Sequence, residues 1–200
     1  MGRPVSEAKR KAIVDAAIAS FFDLGYAATS IEQVAAAAGV SKVTVYNHFT
    51  DKRGLFTAAV EQECERIRSH FTVPMLPNGT LRERLAEIGK AMVAFLSRPE
   101  MVQFERRIAA EIELDPTIGA TFLAAGPHRM KKAFAALLTS LNAAGEISVE
   151  DPELAAEQFA AMCKGMGDLE RRFGMPRDEK RDAQRIAAAV EVFCRAYASE

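Results

Sequence analysis

Hydrogen-bonding side chains are concentrated between residues 41 and 48, where the sequence reads Ser-Lys-Val-Thr-Val-Tyr-Asn-His. Ser41 is suited to cap a short helix, and Val45 would turn toward a core. The remaining residues would then lie on the outward face of that helix or at its ends. A helix that presents polar groups outward and begins with Ser-Lys can enter a major groove by its N-terminal end. The residue types therefore favour contacts with the bases and phosphates of nucleic acid.

The spacing of small and apolar residues around this segment predicts two short helices that cross closely. Ala35 allows the close approach, Gly39 makes the turn without strain, and Val45 holds the second helix against the core. Thr29 and Ser30 each stand three residues before an acid or an amide, so two overlapping capping boxes mark the start of the first of these helices. The alternative interpretation is a helical hairpin whose polar faces are only solvated.

Helical patterns cover almost all of the chain, since alanine is abundant and β-branched alternation is nearly absent. A first helix is expected from a cap at Ser6 to about Leu24, and a long fourth helix after residue 51. Prolines and caps place the later helices, after a loop at 72–79, at about 80–97, 99–113, 116–142, 152–173 and 179–198. We therefore expect an all-α fold of about nine helices, with a three-helix head, the linking fourth helix and a C-terminal bundle. The expected domains are residues 1–53 and 54–200.

Composition excludes several classes of protein. The 200 residues carry 26 basic and 27 acidic side chains, and the first 53 residues carry seven basic and five acidic ones. This mild basic excess is weak evidence for nucleic acid by itself. Three well-separated cysteines argue against a disulfide framework or a zinc site and suit a reducing cytoplasm. Apolar runs stay shorter than the roughly 18 residues of a membrane helix, and we expect no signal peptide.

Catalytic motifs are absent from the sequence. Its three histidines are His48, His70 and His128, and there is no HExxH, GxSxG, P-loop or GxGxxG pattern. We therefore expect neither an enzyme nor a bound metal or cofactor.

The stretch Gly39-Val-Ser-Lys-Val-Thr-Val-Tyr-Asn-His-Phe-Thr-Asp-Lys-Arg-Gly-Leu-Phe resembles the DNA-binding head of the TetR/AcrR family of bacterial transcriptional regulators. The likeness extends over residues 8–60. The second half of the chain is similar to the AefR-type C-terminal domain in Arg107-Ile-Ala-Ala-Glu, Phe122-Leu-Ala-Ala-Gly-Pro and Asp151-Pro-Glu-Leu-Ala-Ala-Glu-Gln-Phe.

The resemblance implies DNA contacts at named positions. Base edges would be met by Lys42, Val43 and Thr44, and phosphates by Thr29 or Ser30, Ser41, Tyr46, His48 and Lys52. Valine at 43 replaces a frequent glycine and could meet a thymine methyl group. Asn47 replaces an aromatic residue or arginine and could reach an adenine edge or only a phosphate. Tyr46 could instead only pack, His48 could only end its helix, and Arg3 could enter a minor groove or be solvated.

Methionine and phenylalanine are frequent in the second half, where the resemblance implies an effector cavity for a small apolar molecule. The candidate lining residues are Met92, Phe95, Phe104, Ile108, Phe122, Phe134, Phe159, Met162 and Met166. At helical spacing such residues can equally be core. Arg107 and Glu111 form an i,i+4 pair that is either a surface salt bridge or a polar anchor for the ligand.

Small residues mark the last two helices, including Ala156, Ala160 and Ala187. They allow close helix packing within one chain, and the resemblance implies a dimer interface there. A two-fold dimer would also double the contacts with a palindromic operator. We therefore expect a cytoplasmic homodimer that binds double-stranded DNA as a repressor and is released by a small apolar effector. The alternative is a helix-turn-helix regulator without a small-molecule effector, controlled by a protein partner.

Overall fold

The structure, a computed structural model, describes residues 3–68 and 79–199, including all side chains there except those of residues 3–5, 66 and 67. Within these ranges the chain forms ten helices and an isolated bridge between Ile147 and Ala198, with no strand. The helices are α1 (Arg3–Leu24), α2 (Ile31–Ala37), α3 (Lys42–His48), α4 (Lys52–Arg68), α5 (Leu81–Leu96), α6 (Pro99–Glu111), α7 (Pro116–Ala125), α8 (Pro127–Ala143), α9 (Pro152–Arg172) and α10 (Glu179–Tyr197). The predicted all-α class is confirmed.

Two helix boundaries differ from the prediction. The first helix begins at Arg3, so Ser6 lies inside it, because Pro4 is tolerated in a first turn. The helix expected at 116–142 is two helices that meet at Gly126. Pro127 has no N–H to continue the first helix and instead occupies the first position of the second. The loop expected at 72–79 lies outside the described residues, apart from residue 79.

Among the described residues, the first compact unit contains residues 3–65 and 103–127, so most of α6 and all of α7 pack with the first helices of the chain. Aromatic rings form its centre. The Phe21 and Phe56 rings meet edge to face at 5.2 Å, and Phe22 stacks on Phe104 at 4.1 Å between centroids. Phe104 in turn meets Phe122 edge to face at 5.7 Å. The functional domains expected at 1–53 and 54–200 stay a prediction. The packing follows a different division, because most of α4, most of α6 and all of α7 belong to the same compact unit as the first three helices.

Among the described residues, the second compact unit contains residues 66–68, 79–102 and 128–199. Its core is built from α5, α8, α9 and α10, with Leu85, Leu138, Phe159 and Phe193 almost completely buried. Cys163 is also fully buried, and this burial raises the pKa of its thiol to about 12. The thiol therefore stays protonated and acts as a small apolar core residue.

A buried group of charges joins α9 to α10 in this unit. The Asp182 carboxylate, 2% exposed, accepts from Arg171 at 3.3 Å, from Arg177 at 3.0 Å and from Arg185 at 2.6 Å. A Cβ atom on Gly167 would lie 2.2 Å from the Arg185 guanidinium, so glycine at this position leaves the space that the guanidinium occupies.

The turn between α2 and α3 generates a first prediction. Gly39 has a φ of +66°, and no atom lies within 4 Å of the place where a Cβ would stand. Gly39→Ala should therefore destabilise the protein through the backbone alone, by about 1–2 kcal/mol. Gly39→Asn should cost less, because asparagine tolerates left-handed conformations better. Denaturant unfolding followed by circular dichroism measures both changes, and an alanine variant as stable as wild type would contradict the strain.

Candidate nucleic-acid interface

The first helix of the motif begins at a complete capping box. Ser30 accepts a hydrogen bond from the Gln33 amide N–H at 3.1 Å, and the Gln33 side chain accepts one from the Ser30 N–H at 2.7 Å. Of the two overlapping frames in the sequence, the structure uses this one. At the other end, the Val40 N–H donates to the Ala35 carbonyl at 3.0 Å and closes the turn. The start and the end of α2 are therefore both fixed by local hydrogen bonds.

The second helix is held by one cap and one buried residue. Ser41 accepts from the Thr44 N–H at 3.1 Å, and the two hydroxyls lie 2.9 Å apart. Val45 is fully buried and fixes the inward face of α3. Lys42, Val43, Tyr46 and Asn47 are exposed on the other faces, as the spacing predicts. Val43 is 67% exposed and Tyr46 is 46% exposed, so both present carbon surface to solvent.

An ion pair links the two helices of the motif. The Lys42 ammonium donates to the carboxylate of Glu32 on α2. This hydrogen bond raises the pKa of Lys42 and lowers that of Glu32. Lys42 also lies 5.8 Å from the centre of the Tyr46 ring. Glu32 was not among the predicted site residues, because its partner lies ten residues away on the next helix and no local pattern marks the pair.

Thr29 and His48 differ from the exposed residues of α3. Thr29 is 2% exposed, and its hydroxyl donates to the Gly25 carbonyl at 2.7 Å and to the Ser20 carbonyl at 3.1 Å. Its side chain therefore faces the interior, and we leave it out of the proposed contact surface in favour of Ser30. His48 is half-buried in the last position of α3, with its ring 6.4 Å from that of Phe49.

Lys52 begins α4 and reaches back to the loop between α1 and α2. Its ammonium donates to the Ala27 carbonyl at 3.1 Å and lies 4.5 Å from the centre of the Tyr26 ring. Burial lowers the pKa of Lys52, and the nearby carboxylate of Glu111 opposes that change. The lysine is thus held beside the start of α2, next to the positive end of the α4 dipole.

Arg107 and Glu111 have a role that neither of the two sequence interpretations anticipated. The Arg107 guanidinium donates to the carbonyl of Phe22 at the end of α1. The Glu111 carboxylate accepts from the Ala27 N–H at 3.1 Å. Both partners are backbone groups more than 80 residues earlier in the chain, and no local pattern in the sequence signals such contacts. The side chain of Arg3, the other candidate left open, lies outside the described residues.

The predicted effector-lining residues fall into three groups. In the second compact unit, Phe134 and Phe159 are buried with ring centres 5.4 Å apart, and Met92, Phe95 and Met162 are half-buried against the same core. Phe104, Ile108 and Phe122 belong to the first compact unit. Met166 is 62% exposed and separate from both groups. It follows Gly165, whose φ of 47° and ψ of −153° interrupt the helix and change the face on which Met166 lies.

The predicted interface alanines also differ in exposure. Ala156 is 1% exposed and belongs to the core of its own chain, so its side chain is not presented to a partner. Ala160 is half-buried and Ala187 is exposed. Large apolar side chains are exposed along α9, the following turn and α10, namely Leu154, Met166, Leu169, Phe173, Met175 and Val192.

The described part of the chain contains neither a membrane-spanning helix nor a cluster of metal ligands. Its helices include none that is both long and apolar enough to cross a membrane. The same residues contain no cluster of three or more His, Cys, Asp or Glu side chains arranged to hold a metal ion.

Profiles of two protein families match the chain. Residues 13–59 match bacterial regulatory proteins of the tetR family, and residues 83–199 match the C-terminal domain of AefR-like transcriptional repressors. The second match covers more than half of the chain. Both agree with the resemblance inferred from the motif and from the second half of the sequence.

Individual proteins give the same result. RutR, an HTH-type transcriptional regulator of Escherichia coli K12, is 42% identical over 55 residues, which are 28% of this chain and 26% of RutR. A TetR-family regulator of Mesorhizobium loti superposes with a TM-score of 0.81 at 31% identity over the whole of both chains. The flavonoid-responsive regulator FrrA superposes with a TM-score of 0.75 at 31% identity, covering 96% of this chain and 98% of FrrA. The chain thus spans about a quarter of the length of RutR and nearly all of FrrA.

The position of Lys52 generates a second prediction. Lys52→Ala should weaken binding to all DNA duplexes alike, because a phosphate contact carries no sequence information. The slope of log K against log salt concentration should become shallower by about one. Lys132→Ala, which removes the same charge from an exposed position on α8, is the matched control. A Lys52 variant that changes the preferred base sequence would contradict the assignment.

Proposed function

Since the chain belongs to the TetR family of bacterial transcriptional regulators, we propose that it is a cytoplasmic repressor that binds a palindromic operator as a homodimer and is released by a small apolar effector. A helix-turn-helix DNA-binding domain and a regulatory rather than enzymatic role follow from the family itself. The observation that carries the proposal is the exposed N-terminal half of α3, where polar groups and one valine face outward from a buried anchor.

The base-reading residues in this proposal are Lys42, Val43 and Thr44. Val43 is 67% exposed, so its isopropyl group contributes nothing to the core and is free to meet a thymine methyl group in the major groove. To contact a base edge, the Lys42 ammonium must first break its ion pair with Glu32. Thr44 lies half-buried beside the cap and can contribute its hydroxyl.

The remaining contacts position the head without reading sequence. We assign phosphate contacts to Ser30, Ser41, Tyr46, His48 and Lys52, and either a phosphate or an adenine edge to Asn47. Ser30, Ser41 and Lys52 lie at or beside helix N-termini, where backbone dipoles favour an anion. Such contacts set the register of the recognition helix on the duplex.

Selection of bound duplexes from a random pool tests the proposed function directly. A dimer of this kind should enrich an inverted repeat whose half-sites are spaced by about one helical turn. Recovery of duplexes with no common sequence would remove the sequence-specific part of the proposal. Repeating the selection with candidate ligands also tests the alternative in which a protein partner replaces the small effector.

The homodimer is supported by the exposed apolar side chains of α9 and α10. Large apolar residues that are about half exposed, including Leu154, Leu169 and Val192, are typical of surfaces that are covered in an assembly. The buried Asp182 group and the α9–α10 packing hold these side chains on one packed pair of helices. A second copy of the same pair would cover them symmetrically.

The proposed interface generates a third prediction. Val192→Arg should produce a monomer, because an unpaired charge in a covered apolar surface costs several kcal/mol. Ala136→Arg, at an exposed position on α8, makes a comparable change outside the proposed interface and should leave the dimer intact. Sedimentation velocity gives the assembly state, and circular dichroism checks that helices remain. A dimeric Val192→Arg variant would place the interface elsewhere.

An effector site is proposed in the second compact unit, around Met92, Phe95 and Met162. These side chains are half-buried at the edge of the core, and methionine adapts to ligands of varied shape. FrrA, similar along nearly its whole length, is described as flavonoid-responsive, which supports an aromatic, largely apolar molecule. In the proposed mechanism the effector shifts α4, which starts in the first compact unit and ends in the second. Operator binding must then weaken effector binding by the same factor.

This site generates a fourth prediction. A flavonoid panel should include compounds that raise the melting temperature of the wild type and release DNA at similar concentrations. Met162→Trp should abolish that ligand-induced rise, because the larger side chain fills the proposed site. Ala136→Trp adds a large side chain at an exposed position on α8, outside both the group and the proposed interface, and should keep the response. An unchanged response in Met162→Trp would place the effector elsewhere.

A further inference from the structure

We propose that Glu111 on α6, supported by Arg107, is a positioning residue for DNA binding that acts through the backbone of Ala27 on Lys52. This inference rests on the proposed function, in which Lys52 contacts a phosphate. It extends the DNA-binding machinery to a helix outside the helix-turn-helix motif. All of the residues involved belong to the first compact unit.

The Ala27 residue is held from both sides. Its N–H donates to the Glu111 carboxylate at 3.1 Å, and its carbonyl accepts from the Lys52 ammonium at 3.1 Å. Ala27 lies in the short connection between α1 and α2, three residues before the Ser30 cap. A shift of Glu111 therefore displaces the loop that supplies the partner of Lys52, and with it the Tyr26 ring under the ammonium.

Arg107 and Phe104 fix α6 against the end of α1. Arg107 donates to the Phe22 carbonyl, one of the terminal carbonyls of α1 that lack a partner within the helix. The Phe22 ring stacks on Phe104 at 4.1 Å, and Phe104 is 1% exposed. Phe104, Arg107 and Glu111 are spaced by three and four residues, so they share one face of α6. That face sets the position of the Glu111 carboxylate.

Gly25 is matched to this arrangement. Its φ of +89° lies in the left-handed region, which favours glycine at the end of α1. A Cβ atom there would also lie 2.5 Å from the Glu111 carboxylate and 3.5 Å from the Arg107 side chain. The absence of a side chain at residue 25 thus allows the left-handed end of α1 and also leaves the space that the Glu111 and Arg107 side chains of α6 occupy.

The sign of the effect distinguishes positioning from simple electrostatics. A carboxylate close to a phosphate-binding lysine would by itself repel DNA, and its removal would tighten binding. A positioning role predicts the opposite result. The Glu111 carboxylate also opposes the lowering of the Lys52 pKa that burial causes.

Operator binding by the 200-residue chain tests the proposal at fixed salt. Glu111→Ala should weaken affinity about tenfold, because a charge-assisted hydrogen bond that places a binding group is lost. Glu111→Gln should recover most of that loss, since its amide oxygen can still accept from the Ala27 N–H. In a Lys52→Ala background, Glu111→Ala should have less than about a twofold further effect. Glu113→Ala, which removes an exposed carboxylate two residues further on, is the control for charge alone.

Several outcomes would overturn the inference. Glu111→Ala protein that binds as tightly as wild type or more tightly would exclude a positioning role. Equal losses with and without Lys52 would show that Glu111 acts by another route. If Glu111→Ala is unfolded by circular dichroism, Glu111→Asp keeps the charge but shortens the reach, and the same loss of affinity is expected. Wild-type protein that binds no duplex would instead contradict the proposed function.

Discussion

Helices of seven residues do not persist in water by themselves, and both helices of the DNA-facing motif have that length. Their stability must come from their ends and from the core beneath them. Ser30 and Ser41 supply the caps, while Val34 and Val45 are completely buried. The outward face of α3 can carry residues chosen for recognition only because these inward residues hold the helix in place.

The same requirement explains why the first compact unit is larger than the motif. The aromatic centre begins with α1 and α4 and is completed only when α6 and α7 contribute Phe104 and Phe122. The second compact unit needs no such help, since its own helices surround Phe159 and Phe193. It buries the Asp182 carboxylate among three arginines, so the α9–α10 pair is specified by polar contacts as well as by apolar ones.

Local signals in the sequence were sufficient for the fold class and for most helix ends. Caps, first-turn prolines and Gly39 act within a few residues, so their consequences can be inferred without tertiary structure. Features that depend on distant partners could not be inferred. Thr29 faces inward because its hydroxyl donates to the Ser20 carbonyl of α1 and to the Gly25 carbonyl that follows it. Arg107 donates to a carbonyl at the end of the same helix. Met166 lies apart from the other predicted lining residues for a local reason: Gly165, directly before it, interrupts the helical period on which the prediction depended.

The discontinuity of the first compact unit has a consequence for biosynthesis. During translation Phe22 is made long before Phe104, and at about 5–20 residues per second the wait lasts roughly 4–16 s. Throughout that interval the growing chain exposes an aromatic ring that its own later segment will cover. The N-terminal segment therefore completes its packing only after α6 and α7 have been synthesised. A fragment ending at residue 65 would keep the whole recognition helix, yet its Phe22 ring would permanently lack the Phe104 ring that covers it.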